Sequence, residues 1–399
     1  MLTPYLPYPP ASGGQIRTLN LLKYLSKNHS ITLIALYKND KEKKYASYLE
    51  SYCDKIYVCK RAEKPWQPRN ILKSIFSSLP FLIVRNFSVE AKRVVETLLR
   101  EQSFDIIHAE TFYIMPHIPK TNIPIFLLEQ TIEYKVYQHF TEKLPLLARP
   151  FFYPDIIKLK SSEIFYWKKA SVVGTVSDYD KHLIHKIAPT INPVIIPNGA
   201  GDDMFVDKLA PKDIKKPTFL FVGNFYWLQN IEAAQYIMNN LYPKLKHKKD
   251  IVIIIAGQNA SVKLKPSVHK NIKIIDIPQD DATLVKRLYH EATLFVAPIY
   301  GPGGTRLKIL AAMASGLPVI STKTGVEGLG VTDEEHVLVA DNEIEFENKI
   351  EMVLSDKHLY EKLRKNAYNL AKESYSWNSI SQKLEVVYKS VIDKHEPGN

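Results

Sequence analysis

Two series of short apolar runs, each run separated from the next by a stretch of helical periodicity, constrain the fold of this 399-residue chain more than any other feature. Short apolar runs that alternate with amphipathic helical stretches imply parallel sheets with helices on both faces. The first series is SITLIALY (30–37), KIYVC (55–59), FDIIHAE (104–110), PIFLLEQ (124–130) and ASVVGTVS (170–177). The second is PTFLFVGN (217–224), DIVIIIAGQ (250–258), NIKIIDI (271–277), ATLFVAPI (292–299) and LPVIST (317–322). PVIIPNG (193–199) brings the chain to a turn, and the polar stretch 201–216 is the expected connection between two doubly wound α/β domains. A long helical tail runs from Glu345 onward, with Ile380, Leu384, Val387 and Ile392 at helical spacing and in need of a partner surface.

The segment APIYGPGGTRLKILAAMASGLPVISTKTGVEG (297–328) reads as a glycine-rich loop feeding a basic helix and then a buried strand. Thr305 is a good N-cap, Arg306 to Ala314 are strong helix formers, Gly316 ends the helix, and Pro318 keeps it from resuming. The N–H groups of Gly303, Gly304 and the first turn converge on one spot, which Arg306 and Lys308 make more positive, so a diphosphate would fit there. The alternative is an ordinary loop-to-helix connection carrying two solvated bases. Ligands of open parallel sheets sit beyond the carboxyl ends of strands, and Gly13-Gly14, Gly223-Asn224 and Gly303-Gly304 all fall where such ends are expected.

Lys and Arg exceed Asp and Glu to give a net charge of +11, which favours an anionic partner without naming it. No helix-turn-helix, zinc-finger or aromatic RNA-binding signature accompanies the charge, so nucleic acid is not expected. A basic, aromatic-rich face resting on an anionic membrane is one reading; a generally lysine-rich surface is the other. No apolar run reaches the length of a membrane span, and MLTPYLPYPP lacks the order of a signal peptide. The expectation is a cytoplasmic protein, at the inner face of the membrane if the basic face is used. Cys53 and Cys59 suit neither a disulfide framework nor a metal site and read as buried fillers.

The ordered series YPPASGGQIRTLNLLKYL, FDIIHAE, LLEQTIEY, VSDYDK, IIPNG, FVGNFYWLQNIEAAQYI, IIIAGQ, APIYGPGGTRLKILAAMASGLPVIST with TGVEGL, and YSWNSI resembles the GT-B glycosyltransferases of the retaining family-4 type, over nearly the whole chain. The resemblance implies two Rossmann-like domains facing across a cleft: residues 1–198 for the acceptor, 199–374 for the nucleotide sugar, and a C-terminal helix, 375–399, crossing back to the first. It implies transfer of a sugar from a nucleoside diphosphate to a lipid-linked or polysaccharide acceptor, with no cofactor beyond the donor; no metal is expected either, because the sequence has no clustered Asp/His set or Asp-x-Asp motif in a suitable loop. Arg306 and Lys308 are the expected catalytic charges, because the leaving diphosphate gains negative charge. His108, ending a strand, is the third catalytic candidate, with a satisfied loop-start histidine as the alternative. The expected substrate contacts are Gly13, Gly14, Arg17, Glu110, Glu133, Asn198, Gly223, Asn224, Gly303, Gly304, Thr305 and Glu327.

The chain also departs from that family's pattern. Gly303 and Ala311 stand where the family places two glutamates, and Ala311 removes the acceptor for the ribose hydroxyls, a loss of about 1.5 to 3 kcal/mol in donor binding. Glu327 is the candidate replacement, a plain surface glutamate the alternative. Glu129-Gln130-Thr131 occupy the place of a family histidine, and Met1-Leu2 leave only a stub of the first, central strand. These departures support a second reading: a binding or scaffold protein of GT-B shape with impaired catalysis.

Overall fold

The computed structural model describes residues 1–64, 66–245, 251–265, 269–278, 281–301 and 307–395. The chain divides into two compact units, the first comprising residues 1–197 and 381–395, the second 198–301 and 307–380.

The first unit carries seven strands: β1 (Leu2–Thr3), β2 (Thr32–Tyr37), β3 (Lys55–Lys60), β4 (Ile107–Glu110), β5 (Ile125–Glu129), β6 (Val172–Thr175) and β7 (Val194–Ile195). They lie in the order β3-β2-β1-β4-β5-β6-β7, and every pair is parallel. The stub at Met1-Leu2 therefore does not leave the centre of the sheet open. Leu2 pairs with Ile34 on one side and Ala109 on the other, the Met1 amino group donates to Thr32 O at 2.8 Å, and Ile34 N donates to Met1 O at 2.9 Å. Two residues suffice because β4 is itself short and meets β1 at a single register point.

The second unit carries β8 (Thr218–Val222), β9 (Val252–Gly257), β10 (Ile272–Asp276), β11 (Leu294–Ala297), β12 (Val319–Ser321) and β13 (Leu338–Val339), in the order β10-β9-β8-β11-β12-β13, all parallel. Phe219, Phe221, Ile253, Ile255 and Phe295 are buried at its centre, with the Tyr289 ring stacked 5.5 Å from that of Phe295. Strands β7 and β13, two residues each, are too short for any periodicity to announce them.

The long tail expected from Glu345 is three helices, Glu343–Ser355, Lys357–Ser374 and Trp377–Asp393. The first break falls at Asp356, whose carboxylate accepts from the N–H groups of His358 and Leu359 and so starts a new helix. From Ser381 the last helix belongs to the first unit. Its buried stripe is Ile380, Leu384, Tyr388 and Val391, one position out of phase with the expected Val387 and Ile392, which are half-buried. The phase is set by Tyr388, whose ring is buried while its hydroxyl bonds His108. Both cysteines are buried and unbridged, and burial pushes each thiol up to about 12.

Candidate functional site

In the second unit, the loops leaving β8 and β9 are fitted together backbone against backbone. Gly257 has φ +149°, and a Cβ there would lie 1.7 Å from Gly223 O, so no side chain fits. Gly223 N donates to Ala256 O at 3.0 Å and Phe225 N to Gln258 O at 3.0 Å. Asn224 Nδ2 donates to Gln258 Oε1 at 2.9 Å, while Asn230 Nδ2 donates to Asn224 O at 2.7 Å. Lys308, on the helix Leu307–Ala314, completes the corner: its ammonium donates to Asn230 Oδ1 and lies 5.1 Å from the centroid of the Phe221 ring. Gly316, with φ +67°, stands just past that helix in the left-handed conformation its position requires. A cation is thus held over the Gly223-Asn224 turn at the carboxyl end of a central strand, where developing negative charge can be met by a fixed positive one.

Four expected site residues, Gly303, Gly304, Thr305 and Arg306, lie outside the described residues. Ala311 is half-buried on the same helix as Lys308, Asn198 is buried, and Glu327 is exposed just beyond the short helix Lys323–Val326. Asn230 and Gln258 were not singled out from the sequence, although both lie in the motifs quoted above.

In the first unit, the expected residues His108 and Glu110 belong to a buried relay of hydrogen bonds. Tyr388 bonds His108 Nδ1, His108 Nε2 bonds Glu110 Oε1 at 3.1 Å, and Gln130 Nε2 donates to Glu110 Oε2 at 2.6 Å and to the Tyr5 hydroxyl at 2.8 Å. Burial lowers the pKa of His108 against the pull of Glu110. Burial acts to raise Glu110, but the bond from His108 and the charge of Arg17 outweigh it and hold the carboxyl below its usual range. His108 therefore has both ring nitrogens engaged inside the core. Arg17, fully buried, donates from Nη1 to Pro197 O at 2.8 Å, and burial lowers its pKa. Gly13 opens the helix Gly13–Leu25, and at Gly14 a Cβ would lie 2.4 Å from the Tyr5 hydroxyl, so that helix packs directly on the relay. Thr111, next after Glu110, has φ +74°, a conformation costly for a β-branched residue.

Glu133 starts the helix Glu133–Glu142, whose N-cap Ile132 has no capping side chain. Glu163 caps it from another helix, accepting from Glu133 N at 2.7 Å and Tyr134 N at 3.2 Å. Burial raises the Glu133 carboxyl to about 7, opposed by Arg85, and burial also holds Glu129 and Glu163 well above the usual carboxylate range. Glu129 accepts from Trp167 Nε1 at 2.8 Å.

Residues 216–356 match the family model described as "Glycosyl transferases group 1". The chain is 24% identical over 393 residues to an uncharacterized 44.6 kDa protein in the cps region of Klebsiella pneumoniae, covering 94% of this chain and 95% of that one. Among solved structures it is similar to sucrose-phosphate synthase from Thermosynechococcus elongatus (TM-score 0.71, 15% identity, 98% of each chain). It is also similar to HepE of Anabaena in complex with UDP-glucose (TM-score 0.65, 15% identity, 98% of each chain).

Proposed function

We propose, for a chain that is a glycosyltransferase of GT-B fold with a glycosyl transferases group 1 domain over residues 216–356, that it moves a sugar from a nucleoside diphosphate held on the second unit to a lipid-linked or polysaccharide acceptor held on the first. The observation that carries this reading is Lys308, fixed by Asn230 over the turn that follows β8. Loss of a nucleoside diphosphate concentrates charge on phosphate oxygens, and one well-placed donor is worth about a hundredfold to a thousandfold in rate. Arg306 and Lys308 take the place a divalent cation would fill. His108 acts as a positioning residue for Glu110 rather than as a proton carrier. Retention of anomeric configuration follows from the family resemblance.

UDP-glucose is the first donor to test, because the similar HepE binds it, and the cps-region relative favours a polysaccharide precursor as acceptor. Contact with the inner face of an anionic membrane completes the reading, supported by one surface of the first unit. Phe76, Leu147 and Phe151 are 84%, 90% and 83% exposed, and Trp66, Leu72, Ile75, Leu146 and Ile157 are exposed near them in sequence. The two segments are tied together, since Lys158 Nζ donates to Ser74 O at 2.7 Å and Ser74 Oγ to Asp155 Oδ1 at 3.1 Å. Arg69, Lys73, Lys143 and Lys160 are exposed in the same stretches, which matches an anionic apolar boundary.

The test is a thermal-shift panel of UDP, GDP, ADP and dTDP sugars, in which a ligand at 100 times its dissociation constant adds about 2.7 kcal/mol. The anomeric configuration of the product then checks retention. A second reading, a GT-B protein that binds without transferring, is favoured by Ala311, which offers no acceptor to a ribose. Donor binding with no transfer to any acceptor preparation would select it.

A further inference from the structure

We infer that Arg61 and Arg85 form a phosphate-binding subsite in the first unit, so that the acceptor is itself a phosphorylated molecule; this rests on the reading of that unit as the acceptor side. Arg61 directly follows β3, and its backbone N–H donates to Tyr37 O at 2.9 Å, which places it at the carboxyl end of the sheet. Arg85 lies on the short helix Phe81–Asn86, with its guanidinium 5.9 Å from the centroid of the Phe81 ring. Asn86, the next residue, accepts from Arg61 Nη1 and donates to Leu82 O at 2.8 Å, so one side chain ties the two arginines to the same turn.

The pair is conspicuously under-bonded. The Nε atoms of both arginines are buried without a hydrogen-bond partner, and the half-buried Arg85 side chain makes no hydrogen bond or ion pair with any described residue. A guanidinium has five donors in a rigid fork matched to oxyanions, and holding two half-buried forks of like charge in one field is unfavourable unless an anion joins them. The neighbours agree: burial lowers the pKa of Arg61, with Arg85 lowering it further, and Lys38 is lowered by partial burial and then by Arg61 and Arg85. Two carboxyls act in the same field: burial raises Glu133 to about 7, so it is protonated below neutrality and repels an anion less there, while Glu42, which accepts from Lys38 N at 3.0 Å, pulls the pKa of Arg61 and Lys38 back up and offsets part of the positive charge. The charge of three cations suits a phosphate ester or diphosphate better than a single carboxylate.

Titration calorimetry of the full chain with inorganic pyrophosphate tests this, because pyrophosphate can occupy the arginine pair and the Lys308 corner independently. Two sites are expected in the parent. Arg61→Lys and Arg85→Lys keep charge and stem, and hence the fold, but lose the fork; each is expected to weaken one site about tenfold or more and leave the other unchanged. Lys308→Met is expected to do the reverse. A single site lost only in Lys308→Met, or Arg variants that bind as the parent does, overturns the phosphate subsite while sparing the function proposed above. Lys308→Met indistinguishable from the parent, with the arginine-dependent site intact, strikes the donor assignment instead. A parallel titration with D-glucuronate separates the anions: glucuronate binding to the arginine pair in place of pyrophosphate overturns the phosphate assignment in favour of a carboxylate.

Discussion

Lys308 is the residue whose removal separates charge from shape. Lys308→Met keeps the stem against Phe221 and deletes the ammonium, and it is expected to lower kcat/KM by about a hundredfold or more while the unfolding midpoint barely moves. A loss under threefold in steady-state kinetics would place the catalytic charge elsewhere. Ala311→Glu works in the opposite direction: a carboxylate one turn along from Lys308 can accept from ribose hydroxyls, so donor affinity by calorimetry is expected to rise about tenfold or more. Glu133 supplies a pH test. Its folded pKa of about 7 lies above the unfolded 4.5, so the folded state holds the extra proton between those values and loses that stabilisation as pH rises through the window. Glu133→Gln has no such proton, so its stability relative to the parent should climb from pH 5 to pH 8 in urea unfolding. A flat difference would mean an unshifted carboxyl. Lys308, Gly223 and Asn224 were readable from the sequence because glycine turns and a basic helix start carry their chemistry in short range. Arg61 and Arg85 were not, since they come from two segments that only the fold brings together; the sole trace is an arginine directly after the apolar run FLIV.

The helix Trp377–Asp393 is fastened to the first sheet by Tyr388, whose hydroxyl meets His108 at the middle of β4. Tyr388→Phe strands one ring nitrogen of a buried histidine, and it is expected to cost about 1 to 3 kcal/mol in urea unfolding, with the spectrum of the folded state unchanged. A neutral outcome would show that His108 changes tautomer or finds another partner. Strands were most legible where four or more apolar residues ran together, as in PIFLLEQ and DIVIIIAGQ, because burial on both faces leaves few polar positions to confuse the pattern. Two-residue strands and the breaks in the tail were not, because a strand of that length is defined by its neighbours and a break such as Asp356 by one cap.

At the scale of the whole molecule, the net charge of +11 and the exposed apolar surface of residues 66–76 and 140–157 give a common expectation. The chain should sediment with vesicles containing phosphatidylglycerol and not with purely zwitterionic ones, and binding should fall steeply between 50 and 500 mM salt, conditions chosen to span roughly a threefold change in screening length. Phe76→Ser with Leu147→Ser should weaken vesicle binding while leaving the thermal shift by donor intact; equal binding to both vesicle types would rule out the anionic surface. The order of strands carries one more consequence, for the kinetics of folding. Leu2 finds its second partner only at Ala109, and β8 meets β11 across a comparable span, with Phe219 opposite Leu294. Each sheet is therefore closed at its centre by a pairing distant in sequence, so loop-closure entropy must be overcome before the central strand contributes anything. Both units should refold slowly for their size, with the parallel neighbours β2 and β3, closer in sequence, protected from exchange before the centre of the first sheet is, and the middle of each sheet is the last place to become dry.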